Sequence, residues 1–220
     1  MKLKEILIRF ISIPKSFYVS WRLTSLKRAF SLPVICRYNT VLKSLSGEVQ
    51  IVGGGYFKIG FGNVGIYDKH YQRSILEISG RIVLYGNAAF GHGSRLCVMK
   101  NGILEIGDHF VNTAQMTIVC AKYIQFGENV LTSWDTLVMD TDFHHTINTE
   151  TNKLSMIEKP IINCNNIWMG TRSVILKGSY IADNCVIGAN SLVAGKFIEE
   201  NCVIAGNPAK IVKNNTKLKR

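Results

Sequence analysis

From Met169 onward every sixth residue is apolar: Met169, Ile175, Ile181, Ile187 and Val193. Four positions after each of the first four stands a small residue, Ser173, Ser179, Cys185 and Ser191. A period of six fits neither the 3.6 of a helix nor the simple alternation of a half-buried strand. It suits a solenoid of very short strands joined by tight corners, in which each strand turns one aliphatic side chain inward and each corner admits only a small one. The spacing continues upstream in Leu84, Phe90 and Leu96, in Ile106, Asn112 and Ile118, and in Phe126, Thr132 and Val138. Register slips separate these runs, and some slots hold polar residues. An apolar residue followed by glycine recurs as Phe90-Gly91, Ile106-Gly107, Phe126-Gly127 and Ile187-Gly188.

The pattern divides the chain into three parts. Residues 48–206 form the solenoid; residues 1–47 form a basic helical or mixed cap, punctuated by Pro14 and Pro33; residues 207–220 form a basic tail. Within the solenoid the rhythm stops between Asp140 and Pro160. That polar segment holds His144 and His145, and insertions of this kind become loops projecting from one face.

Charge is placed unevenly. The net charge is +11, but residues 1–43 alone carry nine Lys or Arg against Glu5, and residues 209–220 carry five with no acid. A nucleic-acid binder would spread its basic residues over one face of the fold, so no nucleic-acid partner is expected. Basic ends suit contact with anionic lipid through residues 1–43 and a grip on phosphate at the other end. The N-terminal segment could equally serve only to cap the open end of the solenoid. No apolar run is long enough to span a bilayer, and Arg9 splits the early apolar patch with no cleavage site after it, so a cytoplasmic location is expected. The six cysteines show no CxxC pair and read as reduced and structural.

Hexads, an Asp- and His-bearing loop, the segment NNIWMGTRSVILKGSYIADNCVIGANSLV and the ending AGNPAKIVK together resemble the hexapeptide-repeat acyltransferases, over about residues 80–213. The likeness is greatest to O-acetyltransferases acting on maltose, galactosides and polysaccharides. It implies a left-handed parallel β-helix, a homotrimer, and acetyl-CoA as acyl donor with no metal. It implies a sugar acceptor, small or lipid-linked, of the kind used in capsule or lipopolysaccharide synthesis.

The family's Asp-x-Asp-x-His pattern falls on Asp140, Asp142 and His144, which makes His144 the general base on the acceptor hydroxyl. That chemistry is sound, since a hydroxyl attacking a thioester needs its proton removed near neutral pH. Either aspartate could orient the imidazole. For the donor, the resemblance points to Gly170 and Thr171 in one coil, Ala189 in the next, Lys196 beyond it, and Lys210 and Lys213 for the nucleotide phosphates. Trp134, Asp135 and His92 are candidates for the acceptor side.

Three other readings share the fold. A γ-type carbonic anhydrase needs three imidazole ligands at an open zinc site, and His70, His92, His109, His144 and His145 lack that spacing. A non-catalytic scaffold would have no use for the Asp-x-Asp-x-His loop. A serine acetyltransferase would carry a larger N-terminal helical domain.

Overall fold

The computed structural model describes residues 3–62, 64–68 and 71–219. His70 lies outside them. The chain opens with α1 (Leu3–Leu23) and a single further helical turn, α2 (Leu26–Ala29), capped by the Ser25 hydroxyl on the Arg28 N–H. It then winds into a left-handed parallel β-helix with three flat faces, each a stack of parallel strands. The first coil is built from Val34–Cys36, Val41–Leu45 and Glu48–Ile51. The fifth runs through Leu131–Trp134, Leu137–Met139 and, after the long loop, Ile161–Asn163. The strand Val203–Gly206 closes the solenoid, and Ala209–Lys213 folds back antiparallel on it.

The hexad slots face inward as the spacing requires. Met169, Ile175, Ile181, Ile187 and Val193 are buried, and Ser173, Ser179, Cys185 and Ser191 fill the corners below them. The corner serines do more than fit. Ser173 Oγ donates to the Gly170 carbonyl (2.9 Å) and Ser179 Oγ to that of Leu176 (2.7 Å), satisfying oxygens that the turn strips from the ladder. Trp168 pairs with Val186, an 18-residue coil, whereas Phe90 pairs with Asn112 at 22 and Asn112 with Thr132 at 20. Longer corners in the early coils therefore cause the register slips seen in the sequence.

The polar inner slots at Asn112 and Thr132 are paired. Asn112 accepts from Ser94 Oγ (2.8 Å) and donates to Thr132 Oγ1 (2.8 Å) and the Ser133 carbonyl (2.9 Å). Between them, Phe57, Phe90, Phe110 and Phe126 stack into an aromatic column with centroids 5.4, 4.8 and 5.1 Å apart.

Two boundaries move. The solenoid begins at Val34 rather than at residue 48, because VIC and VLKSL pair in register with the next coil despite lacking the hexad glycines. The expected cap is thus α1 and α2 alone. The tail beyond residue 207 is not all tail, since Ala209–Lys213 pairs with the final parallel strand and covers its edge. The loop of residues 140–160 leaves the prism after Met139 and returns at Ile161.

Candidate active site

Two features stand out on the fifth coil, at different corners. The first is the loop, which leaves the corner after Met139. It is held as a two-stranded excursion by backbone bonds from Asp142 N to Ile157 O (3.0 Å) and Ser155 N to Thr146 O (2.7 Å). His144 sits on it exposed to solvent, and His145 Nδ1 lies 2.6 Å from the Ser155 carbonyl. Phe143, Ile147, Leu154 and Met156 are each more than half exposed on the same loop.

The two aspartates of the motif have separate jobs here. Asp140 is fully buried, and its carboxylate accepts from the backbone N–H groups of Ala121, Lys122 and Tyr123 at 2.7, 2.8 and 2.7 Å. It anchors the corner beneath the loop. Asp142 is paired with Lys177 Nζ at 2.5 Å, and the same ammonium reaches the carbonyls of Met156 and Ile157, pinning both legs of the loop. Among the described residues neither carboxylate is hydrogen-bonded to His144.

The second feature is the corner between the first and second faces. Here Gly93, Gln115, Asp135, Arg172 and Asn190 occupy one equivalent position in successive coils, each with φ near 60–70°. Gly93 adopts its φ of 72° without strain, and a Cβ there would have to displace the end of the Gln115 side chain, whose Nε2 lies 2.1 Å from that position. Asp135 accepts from the Tyr67 hydroxyl (2.6 Å) and has Arg172 Nε 3.9 Å away. Burial and this carboxylate push the Tyr67 hydroxyl up to about 12. The Tyr67 ring stands edge-on to His92, which is 2% exposed, at 5.6 Å between centroids. Arg95 donates to the side-chain amide oxygen of Gln115, Oε1, at 3.1 Å.

Trp134, Asp135 and His92 therefore do come together, and Thr171 joins them through its hydroxyl on the Trp134 carbonyl (2.9 Å). Tyr67, Gln115, Arg95 and Arg172 were not found from sequence. The available signal was position: Gln115, Asp135 and Arg172 each precede the corner residue of their coil. Asparagine, which tolerates this backbone conformation, fills the matching position of the third corner at Asn129, Asn166, Asn184 and Asn201, and Asn166 Nδ2 donates to Asn184 Oδ1 at 3.1 Å.

The donor candidates divide. Gly170 and Ala189 stack on the same corner ridge, and a Cβ on Gly170 would meet the Ala189 amide at 2.7 Å. Lys210 pairs with Ala205 just short of that ridge, and Lys213 lies farther along the same face opposite Val203. Lys196 is elsewhere. It pairs with Tyr180 on the third face, in a cleft shared with Lys159 and Lys177 below the loop. Trp168 donates its indole N–H to Ser133 Oγ at 3.3 Å, a packing role.

Among the described residues no group of three or more His, Cys, Asp or Glu is arranged to hold a metal ion. No helix there is long and apolar enough to cross a membrane. The six cysteines are free thiols.

A hexapeptide-repeat β-helix carrying a histidine loop is the architecture read from the sequence as that of an acyltransferase, and the structure adds a polar ridge on another corner. The particular likeness is to the galactoside O-acetyltransferase of Escherichia coli (strain K12), 36% identical over 91 residues, which are 41% of this chain and 44% of that one. The chain thus spans less than half the length of the curated relative it matches. No family model matches. Similar solved structures include a polysialic acid O-acetyltransferase (23% identity, 85% of this chain and 90% of that chain, TM-score 0.47). A hexapeptide-repeat acetyltransferase from Vibrio cholerae O1 biovar eltor, complexed with acetyl coenzyme A, is 17% identical over 99% of this chain and 92% of that one (TM-score 0.48). A galactoside acetyltransferase in complex with coenzyme A is 21% identical over 100% and 92% (TM-score 0.37).

Proposed function

We propose that this protein is an acetyl-CoA-dependent O-acetyltransferase that modifies a sugar hydroxyl as a homotrimer. The observation that carries the reading is the separation of its two polar features. His144 and the Asp135 ridge belong to corners of one coil about five strand residues apart, or roughly 16 Å. Lys177 pins the loop at its own corner, so in the trimer the loop of one subunit serves the ridge of its neighbour. The exposed Phe143, Ile147, Leu154 and Met156 supply apolar surface for that contact.

In this arrangement neutral His144 takes the proton of the acceptor hydroxyl as its oxygen attacks the acetyl carbonyl carbon. The carbon–sulfur bond then breaks, and the imidazolium returns the proton to the departing thiolate. The products are the acetyl ester and free coenzyme A. The small residues Gly170 and Ala189 leave the ridge backbone open to an extended donor, and Lys210 offers a cation for its phosphates. Asp135, Arg172 and Tyr67 form the acceptor side, with His92 buried behind them. Lys196, on another face, has no part in this chain's own ridge. The acceptor fits a glycan precursor of the surface-polysaccharide kind, and the location is the cytoplasm, at the inner membrane face through residues 1–43.

Titration calorimetry of the purified protein with acetyl-CoA tests the donor half, and turnover with a sugar acceptor panel tests the rest. We expect saturable binding, weakened by Lys210→Ala. His144→Ala should lower kcat by roughly 10²–10⁴ while leaving donor binding intact. Absence of donor binding, or normal turnover without His144, would end this reading.

A further inference from the structure

A largely apolar cavity lies far from the site just described. A groove of about 500 Å³ runs between α1 and the first two coils, walled by Ile6, Phe10, Ile13 and Phe61 together with Arg9 and Lys58. It lies at the capped end of the solenoid, four coils from the His144 loop, or roughly 19 Å along the axis.

Two facts identify what the groove accepts. Its surface is mainly hydrocarbon, and its volume is that of a ligand site rather than a packing defect. Its two cations have no carboxylate partner, since neither Arg9 nor Lys58 forms an ion pair among the described residues. The occupant that satisfies both is an amphiphile with an anionic head. Burial and the nearby Arg9 charge hold the Lys58 ammonium below its ordinary value, and a bound anion would relieve both. Around the groove, α1 shows Leu7, Ile11, Tyr18 and Trp21 to solvent, with Lys15, Arg22, Lys27 and Arg28 nearby in sequence. Apolar and aromatic side chains beside basic ones are what an interfacial helix presents to a negatively charged bilayer.

We propose that this groove takes one acyl chain of an anionic membrane phospholipid, with Arg9 and Lys58 on its phosphate. This rests on the membrane-face part of the reading above and adds a defined lipid site to it. The groove holds the capped end of the solenoid against the bilayer and leaves the ridge and loop free.

The test uses the full chain. Sedimentation with vesicles of phosphatidylcholine, with and without about one third phosphatidylglycerol, should show binding only to the anionic vesicles. Arg9→Glu combined with Lys58→Glu should reduce the bound fraction at least about tenfold. Ile13→Trp changes no charge and fills the groove; it should also reduce binding, whereas simple adsorption of an amphipathic surface would be strengthened by the added tryptophan. Circular dichroism is the control that both variants fold, and wild-type spectra are expected. Independently of vesicles, monomeric lysophosphatidylglycerol should bind saturably and lysophosphatidylcholine at least roughly tenfold more weakly. Three outcomes overturn the proposal. Ile13→Trp binding anionic vesicles as wild type leaves surface adsorption only. Failure of the wild type to bind any vesicle removes the membrane reading as well. A change of oligomeric state in lipid-free Ile13→Trp assigns the groove to a second copy of the chain.

Discussion

Asp140 and His144 stand four residues apart in one motif, yet they face different surroundings. Three backbone N–H groups converge on the buried Asp140 carboxylate, so that side chain is committed to closing the corner. His144 is left to solvent and to whatever approaches the loop. A motif read as a catalytic unit thus divides into a buried anchor and an exposed imidazole. Sequence could not make this division, because both roles favour an aspartate at the start of a loop. Removing the anchor leaves three buried donors without a partner, each of which had bonded to a charge. Asp140→Ala should therefore cost about 3 kcal/mol and lower Tm by roughly 6–12 °C. Asp140→Asn, which keeps an acceptor, should lose less. Thermal unfolding of the two variants checks the order. A reversed order, or no loss in Asp140→Ala, would show that the corner holds without this carboxylate.

Among the elements, the short strands of the last coils were the most legible, because each holds one inward residue and the 18-residue coil keeps the hexad in phase. Legibility fell where corners lengthened. The strands Val34–Cys36 and Val41–Leu45 carry no hexad glycine and follow a helical segment, so their membership of the solenoid rests on pairing with later residues. The polar ridge was half visible for a similar reason. Trp134 and Asp135 drew notice beside the loop, but Tyr67 and Arg172 are distant in sequence and meet Asp135 only once the coils stack. What ties the irregular early coils to the regular ones is the aromatic column, in which Phe90 lies between Phe57 and Phe110. Truncating it opens a cavity that rigid stacked coils cannot close. Phe90→Ala should destabilise by about 3–5 kcal/mol. Because neighbouring coils stabilise each other in a solenoid, hydrogen exchange should rise first in the strands adjoining position 90. Uniform loosening along the whole chain would contradict this.

At the scale of the molecule, the prism geometry sets the question of how the loop and ridge cooperate. A rigid three-faced solenoid holds its corners apart by the width of a face, and among the described residues no hydrogen bond or ion pair ties the His144 loop to Asp135. In the proposed trimer, closed cyclic symmetry would set each loop against the next subunit's ridge. This can be tested by complementation between two inactive variants whose substitutions are exposed and do not touch the core. His144→Ala removes the base and leaves the ridge intact. Ala189→Trp blocks the ridge and leaves the base intact. In a mixed trimer of either composition, one of the three junctions joins an intact loop to an intact ridge. With random mixing about three quarters of the trimers are mixed, so about a quarter of wild-type activity should return. Co-expression with two affinity tags, tandem purification and turnover measurements read this directly. Recovery near that fraction places the site between subunits. If both variants trimerise together and remain inactive, the loop and ridge of one chain must act together, by a movement of the loop far larger than its pinning by Lys177 permits.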